Sequence, residues 1–258
     1  MKRILTFIVA MSVGFHGGYA QKMTIMTYNI HHARDMKGTV DIRQIAAVIN
    51  QYKPDLVALQ EVDSVTNRNG KVDQMKELGE LTGMYQCFGS NFSYDGGTYG
   101  LGILSRYPIK ATATYRLPYY KDDPNSESRL MYMAEISLKG NKPIRFATVH
   151  LDHKSEDQRI MQVSDMLQKL EKTNSVPTII AGDFNAVPGA KSIGIMKDRF
   201  TQLLETDSSH TFPADKPKLK IDYIFLSAGH RWKMIRQTVI DEPHASDHRP
   251  VLGIIRLR

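Results

Sequence analysis

The stretch TIIAGDFN, residues 178–185, sets the pattern from which the rest of this chain is read. A short apolar, β-branched run ends abruptly in an acid, Asp183, and a carboxamide, Asn185. That is how a buried strand looks when it delivers polar groups to the rim of a sheet. The same figure recurs along the chain. Asn29 follows an apolar run at 23–28, and Glu61 follows one at 56–60. His150 and Asp152 come at the end of 144–151, Asp222 opens 221–226, and Asp247-His248 precede 251–257. Further strand-like runs lie at 101–105 and 130–138.

Helical patterns are fewer. Asp41 with Gln44 reads as a capping box ahead of Ile42, Ile45 and Ile49, and Tyr52-Lys53-Pro54 ends that helix. Ser155 with Gln158 makes a second box, followed by the stripe Ile160, Val163, Leu167 and Leu170. A third helix is expected over 72–81. Met161 and Met166 read as core filler. Many strands and few helices predict sheet packed on sheet with helices outside. The loop-rich stretch 118–128, with Tyr119, Tyr120 and Pro124, is too short to divide domains, and no repeat or long linker appears.

The 258 residues, 41% of them hydrophobic and 24% charged, suit an ordinary globular chain and exclude a disordered or fibrous one. Lys2 and Arg3, an apolar run at 4–13 and Gly18-Tyr19-Ala20 form the three parts of a secretory signal, with cleavage expected after Ala20. The apolar run is too short to span a bilayer, and no cysteine follows the cut to carry a lipid anchor. The expectation is therefore an exported chain, periplasmic or secreted, with residues 21–258 as its working domain and no stable membrane anchor. Loss of Lys2 and Arg3 lowers the formal charge of +7 by two. The remaining positive charge favours anionic partners without choosing among them. Cys87, the only cysteine, excludes an internal disulfide and a cysteine-rich zinc site, and its neighbours Tyr85 and Phe88 point to core packing.

Each strand-end polar residue alone is commonly a turn residue. Together they amount to several carboxylates, two carboxamides and two histidines, which is the inventory of a hard-cation site for phosphoryl chemistry. The segments TYNI (27–30), LQE (59–61), GLGILSRYPI (100–109), TVHLDH (148–153), GDFN (182–185), IDYIF (221–225) and SDHRPV (246–251) closely resemble the endonuclease/exonuclease/phosphatase superfamily, and they come in its order. That superfamily includes pancreatic-type deoxyribonuclease, AP endonucleases, secreted sphingomyelinases and inositol-phosphate 5-phosphatases.

The resemblance implies an α/β (α+β) fold: a four-layer α/β/β/α sandwich of two mostly antiparallel sheets with outer helices. It also implies Mg²⁺ or Mn²⁺ as cofactor and a phosphate ester as substrate. Residue by residue, Glu61 matches the principal metal carboxylate, Asn29 lies close to metal and phosphate, and Asp247 matches a second carboxylate near the metal. Asp183 matches the residue that orients or deprotonates water, and Asn185 the one that contacts the scissile phosphate. His248 matches the histidine that stabilises the transition state or protonates the leaving group, with Asp222 orienting it. Arg129 matches a phosphate-contacting position. His150 matches a second histidine of the nuclease and sphingomyelinase branches that AP endonucleases lack. Asp152 and His153 read equally as partners of that site and as turn residues, while Tyr28 and Tyr223 read as core.

Three substrate classes stay open: nucleic acid, a sphingolipid or phospholipid head group, and a small phosphorylated compound. A basic groove would mark the first. An apolar loop would mark the second, with Tyr119-Tyr120 a faint candidate beside Asp122 and Asp123. Lysines between 216 and 220 could serve the third. A catalytically inactive binding module on the same scaffold is the alternative of a different class, and a monomer is the family-level expectation.

Overall fold

The computed structural model describes residues 21–124, 126–171, 175–203 and 209–257. The expected export signal, 1–20, lies outside the described residues. Among the described residues, strands β1 (Gln21–Asn29), β2 (Leu56–Ser64), β3 (Tyr85–Tyr94), β4 (Gly97–Ser105), β11 (Trp232–Val239) and β12 (Val251–Leu257) form one sheet, in the order β11-β12-β1-β2-β4-β3. The second sheet contains β5 (Ile109–Leu117), β6 (Arg129–Ser137), β7 (Pro143–His150), β8 (Thr178–Asp183), β9 (Phe200–Gln202) and β10 (Asp222–Ser227), in the order β5-β6-β7-β8-β10-β9. Each sheet has one parallel pair, β1 with β2 and β7 with β8; the other pairings are antiparallel. Helices α1 (Ile42–Tyr52) and α3 (Glu156–Glu171) make the two parallel crossovers, as such connections require.

Strand alternation builds the layers. On β1, Met23 and Ile25 face the second sheet, where they join Leu56, Ala58, Phe146, Ile179, Ala181 and Ile224 in a core between the sheets. Met26 and Tyr28 face the other way, onto α1 and α2 (Gln74–Thr82). Val149, Ile180, Tyr223 and Phe225 form the outer face of the second sheet and pack on Val163, Met166, Leu167 and Leu170 of α3 and on Ile193 and Met196 of α4 (Lys191–Lys197). The result is the four-layer α/β/β/α sandwich. A fully buried Ile or Phe in such a core contributes about 1.5–3 kcal/mol.

The helix ends depart from the expected capping boxes in one respect. Asp41 and Ser155 do accept backbone hydrogen bonds, from Arg43 and Gln158. Their glutamines reach elsewhere: Gln44 donates to Asp35, and Gln158 accepts from Tyr120 N–H and Ser126 Oγ, which ties the 118–128 loop to α3. The four strands at the sheet edges, β3, β5, β9 and β11, are the ones the apolar pattern signals least. Few of their residues are fully buried, as befits edge strands. Tyr28 and Tyr223 are buried as expected, and Cys87 is half-buried against the inter-sheet core.

Candidate active site

The alternation that builds the inner core also builds the site. On β7, Ile144, Phe146, Thr148 and His150 share one face; on β8, Ile179, Ala181 and Asp183 do; on β10, Ile224 and Asp222 do. Each apolar stripe between the sheets therefore ends in a polar residue at one edge of the sandwich. The register sets His150 opposite Asp183, and Asp183 opposite Asp222. In the other sheet the parallel pairing of β1 with β2 sets Asn29 beside Gln60. Beneath the site a buried polar ladder bridges the sheets: Thr27 Oγ1 to Gln60 Oε1 at 3.3 Å, and Gln60 Nε2 to Thr148 Oγ1 at 2.9 Å.

Simple alternation would turn Glu61 toward the helices. A β-bulge prevents it: between Leu59 and Val62 the strand spends one residue more than β4, and Glu61 takes φ +58°. Its carboxylate then accepts from Asn29 Nδ2 at 3.1 Å. The same Nδ2 donates to Asp183 Oδ2 at 3.1 Å, so Asn29 ties the two sheets together at the site. Burial works against charge on Glu61, but His32, His150, Asn29 and His248 outweigh it and hold the carboxyl well below the usual carboxylate range.

Three groups surround Asp183 Oδ2: Asn29, His150 Nε2 at 3.6 Å and His248 Nε2 at 3.7 Å. Asp183 is buried, and that burial, followed by the nearby Asp222 charge, pushes its carboxyl up to about 7 against the pull of His248. Asp222 Oδ2 holds His248 Nδ1 at 2.9 Å and accepts from Thr211 Oγ1 at 2.5 Å. Burial disfavours the imidazolium, yet Asp222 and Asp183 raise His248 to about 10. His150 is set the opposite way. Arg129 Nη1 lies 3.2 Å from its Nδ1, and since a guanidinium only donates, Nδ1 must accept and Nε2 must carry the proton. Burial and then Arg129 push His150 well below its ordinary value, so it is a neutral donor. One histidine is charged and the other neutral, each aimed at the same point by Nε2.

The remaining expected residues fall as follows. Asn185, at φ +50°, donates its backbone N–H to Asp183 Oδ1 at 2.8 Å and its Nδ2 to Leu151 O at 3.0 Å. Asp247 is half-buried, with Oδ1 3.9 Å from His31 Nδ1, and Ser246 Oγ donates to Asn29 O at 2.7 Å. Arg129 is buried and engages His150, His153 and Glu127, so it stands behind His150. Asp152 receives the N–H groups of Lys154 and Ser155 and shapes the turn into α3.

The residue pattern missed His31, His32 and Thr211. The two histidines form a turn with Ala33 in which all three residues have positive φ, +45°, +47° and +61°, a conformation that costs non-glycine residues roughly 1–2 kcal/mol each. The turn sets His32 Nδ1 3.9 Å from Glu61 Oε2. Two adjacent histidines, one residue beyond a strand-ending carboxamide, were the available signal. Thr211 left none, because an isolated threonine in a loop is unremarkable in sequence.

A sequence model described as the Endonuclease/Exonuclease/phosphatase family matches residues 26–248. Over 247 residues the chain is 27% identical to YbhP, an uncharacterized protein of Escherichia coli (strain K12), covering 90% of this chain and 96% of that one. The fold is similar to an endonuclease/exonuclease/phosphatase family protein from Bacteroides thetaiotaomicron, with TM-score 0.77 and 18% identity over 93% of this chain and 99% of that one. It is also similar to the mannosyl-6-phosphatase of Bacteroides thetaiotaomicron VPI-5482, with TM-score 0.74 and 19% identity over 90% and 99%.

Proposed function

The chain belongs to the endonuclease/exonuclease/phosphatase family, and on that premise we propose that it is a divalent-metal-dependent phosphoesterase that hydrolyses a phosphodiester by direct attack of water. The observation that supports this reading is the convergence on Asp183 Oδ2 of Asn29, His150 Nε2 and His248 Nε2, with Glu61 joined through Asn29.

Asp183, with its carboxyl raised to about 7, is a base poised near neutral pH to take a proton from water. Asn185 N–H holds the other oxygen of that carboxylate and so fixes the direction in which it accepts. The neutral His150 donates Nε2–H to a non-bridging phosphate oxygen, its tautomer fixed by Arg129. The charged His248 offers a second N–H and can protonate the leaving oxygen, while Asp222 and Thr211 keep its ring in place.

The oxygen donors fit a hard divalent cation. Glu61 is strongly biased toward its charged form, and Asp247 and Asn29 stand beside the same turn. Glu61, Asn29 and Asp247 would hold Mg²⁺ or Mn²⁺. Bound there, the ion would neutralise charge on the phosphate and help activate water. The signal pattern at 1–20 supports the further reading that this chemistry takes place after export.

The test is hydrolysis of bis-p-nitrophenyl phosphate with Mg²⁺, Mn²⁺ or EDTA, with p-nitrophenyl phosphate alongside. Release of nitrophenol from the diester that EDTA abolishes and added metal restores is the expected result. No turnover with any divalent ion would refute the reading. Parallel assays on plasmid DNA, sphingomyelin and inositol phosphates then separate the substrate classes.

A further inference from the structure

The site holds a nitrogen-donor pair that the proposed reaction does not use. His32 is 7% exposed, its Nδ1 points at Glu61 Oε2 from 3.9 Å, and that nitrogen hydrogen-bonds to nothing among the described residues. A buried imidazole nitrogen that faces a carboxylate from beyond hydrogen-bond reach is costly and calls for an explanation. Donor atoms of His31, His32 and Glu61 all lie within 4.8 Å of one another. Donors bound 2.0–2.2 Å from one ion sit about 3 Å apart when adjacent and about 4 Å apart when opposite. The His32–Glu61 separation falls in that interval.

The turn that carries the pair is held from several sides. Gln74 Nε2 donates to His32 O at 2.7 Å, His31 N–H donates to Asn29 Oδ1 at 3.1 Å, and Ala33 N–H closes on Ile30 O at 2.7 Å. These bonds hold His32 beside Glu61 and His31 beside Asp247 in a backbone conformation that neither would adopt freely.

Resting on the metal-dependent reading above, we propose that the cation at Glu61 is ligated by His32 through Nδ1, with His31 beside it, so that the centre is a mixed nitrogen and oxygen site. Mn²⁺ is a hard ion like Mg²⁺ but accepts an imidazole nitrogen more readily, whereas Mg²⁺ keeps oxygen ligands and water, so such a set tilts the choice toward Mn²⁺. His32 then acts on metal choice as well as on affinity. Loss of an outer-shell partner already costs about 10–100-fold in metal affinity, so loss of His32 as a direct ligand should weaken Mn²⁺ binding by at least about tenfold while changing Mg²⁺ binding far less.

The experiment is pulsed electron paramagnetic resonance of Mn²⁺ bound to the metal-stripped full chain. Nitrogen coupling to Mn²⁺ is expected, converting from ¹⁴N to ¹⁵N when the protein is made with ¹⁵N-histidine. The coupling should vanish in His32→Ala and in His32→Gln, the second keeping side-chain bulk should the first fail to fold. Calorimetric titration should show Mn²⁺ affinity falling in the same variants. Mn²⁺ bound in a Glu61-dependent way without nitrogen coupling overturns this inference and leaves the phosphoesterase reading intact. Coupling that persists in both His32 variants also overturns it. Failure of the wild type to bind any divalent ion overturns both.

Discussion

Replacing Asp222 with asparagine isolates the electrostatics that set His248. The substitution keeps an oxygen that can accept from His248 Nδ1 and Thr211 Oγ1, now 2.9 and 2.5 Å from Asp222 Oδ2, and removes only the charge. Both residues are buried, so solvent screens their interaction little. His248 is raised from 6.5 to about 10, and at 1.36 kcal/mol per pH unit that interval amounts to roughly 5 kcal/mol in favour of the imidazolium. Against burial, Asp222 is the largest of the groups that raise it, ahead of Asp183. Removing it should lower the His248 midpoint by about 2 pH units, roughly 3 kcal/mol. Wild type should then keep His248 protonated until about pH 10, whereas the variant should lose the proton well below that. Asp183 should move in the same direction, falling below 7, because a neighbouring like charge is gone. The assay is NMR titration of ¹³C-labelled histidine in EDTA between pH 5 and 11, with carboxyl carbons followed in parallel. A wild-type His248 that titrates near 6.5, or a midpoint that Asp222→Asn leaves unmoved, would show that Asp222 does not set the charge of this histidine.

Arg68 grips the fully buried Asp63 through Nε at 2.6 Å and Nη2 at 2.8 Å; Arg68→Ala should therefore cost about 3–5 kcal/mol in urea unfolding, and a loss under 1 kcal/mol would contradict this. A Cβ on Gly100 would meet Gly89 O at 2.1 Å, whereas one on Gly189 would meet nothing within 4 Å. Gly100→Ala should thus lower stability by about 1–3 kcal/mol with Gly189→Ala near neutral, and equal melting temperatures would count against the packing described. Burial pushes the Cys87 thiol up to about 11, so iodoacetamide should label the native protein slowly at pH 8 and faster as pH rises toward 11. Labelling at pH 8 as fast as in the unfolded chain would overturn that assignment.

Much of the fold was legible because the inner strands carry their evidence locally. In TIIAGDFN the alternate residues Ile179 and Ala181 fill the inter-sheet core, and Asp183 continues their face into the site, so one period-two pattern encodes both packing and chemistry. The edge strands β5 and β11 were less visible because half their residues meet water and pairing with a neighbour, which is not local, makes them strands. The same distinction holds at the site. Asp183, Asp222, His150 and His248 could be read from strand ends and motifs. The bulge that turns Glu61 inward, the threonine that braces Asp222 and the left-handed turn at His31–Ala33 depend on contacts between segments far apart in sequence. Arg129 carries a contact that its position in the sequence does not announce. Its side chain meets His150 and His153 within the protein, and that contact fixes a tautomer, which no residue pattern specifies.

Activation of water by Asp183 and protonation of the leaving oxygen by His248 can be checked together by steady-state hydrolysis of bis-p-nitrophenyl phosphate by wild type, Asp183→Asn and His248→Ala, with saturating metal and matched circular dichroism. Each substitution should lower kcat by a factor on the order of 10²–10⁴ while leaving KM within a few-fold. A folded Asp183→Asn or His248→Ala protein that retains kcat within tenfold of wild type would contradict the account.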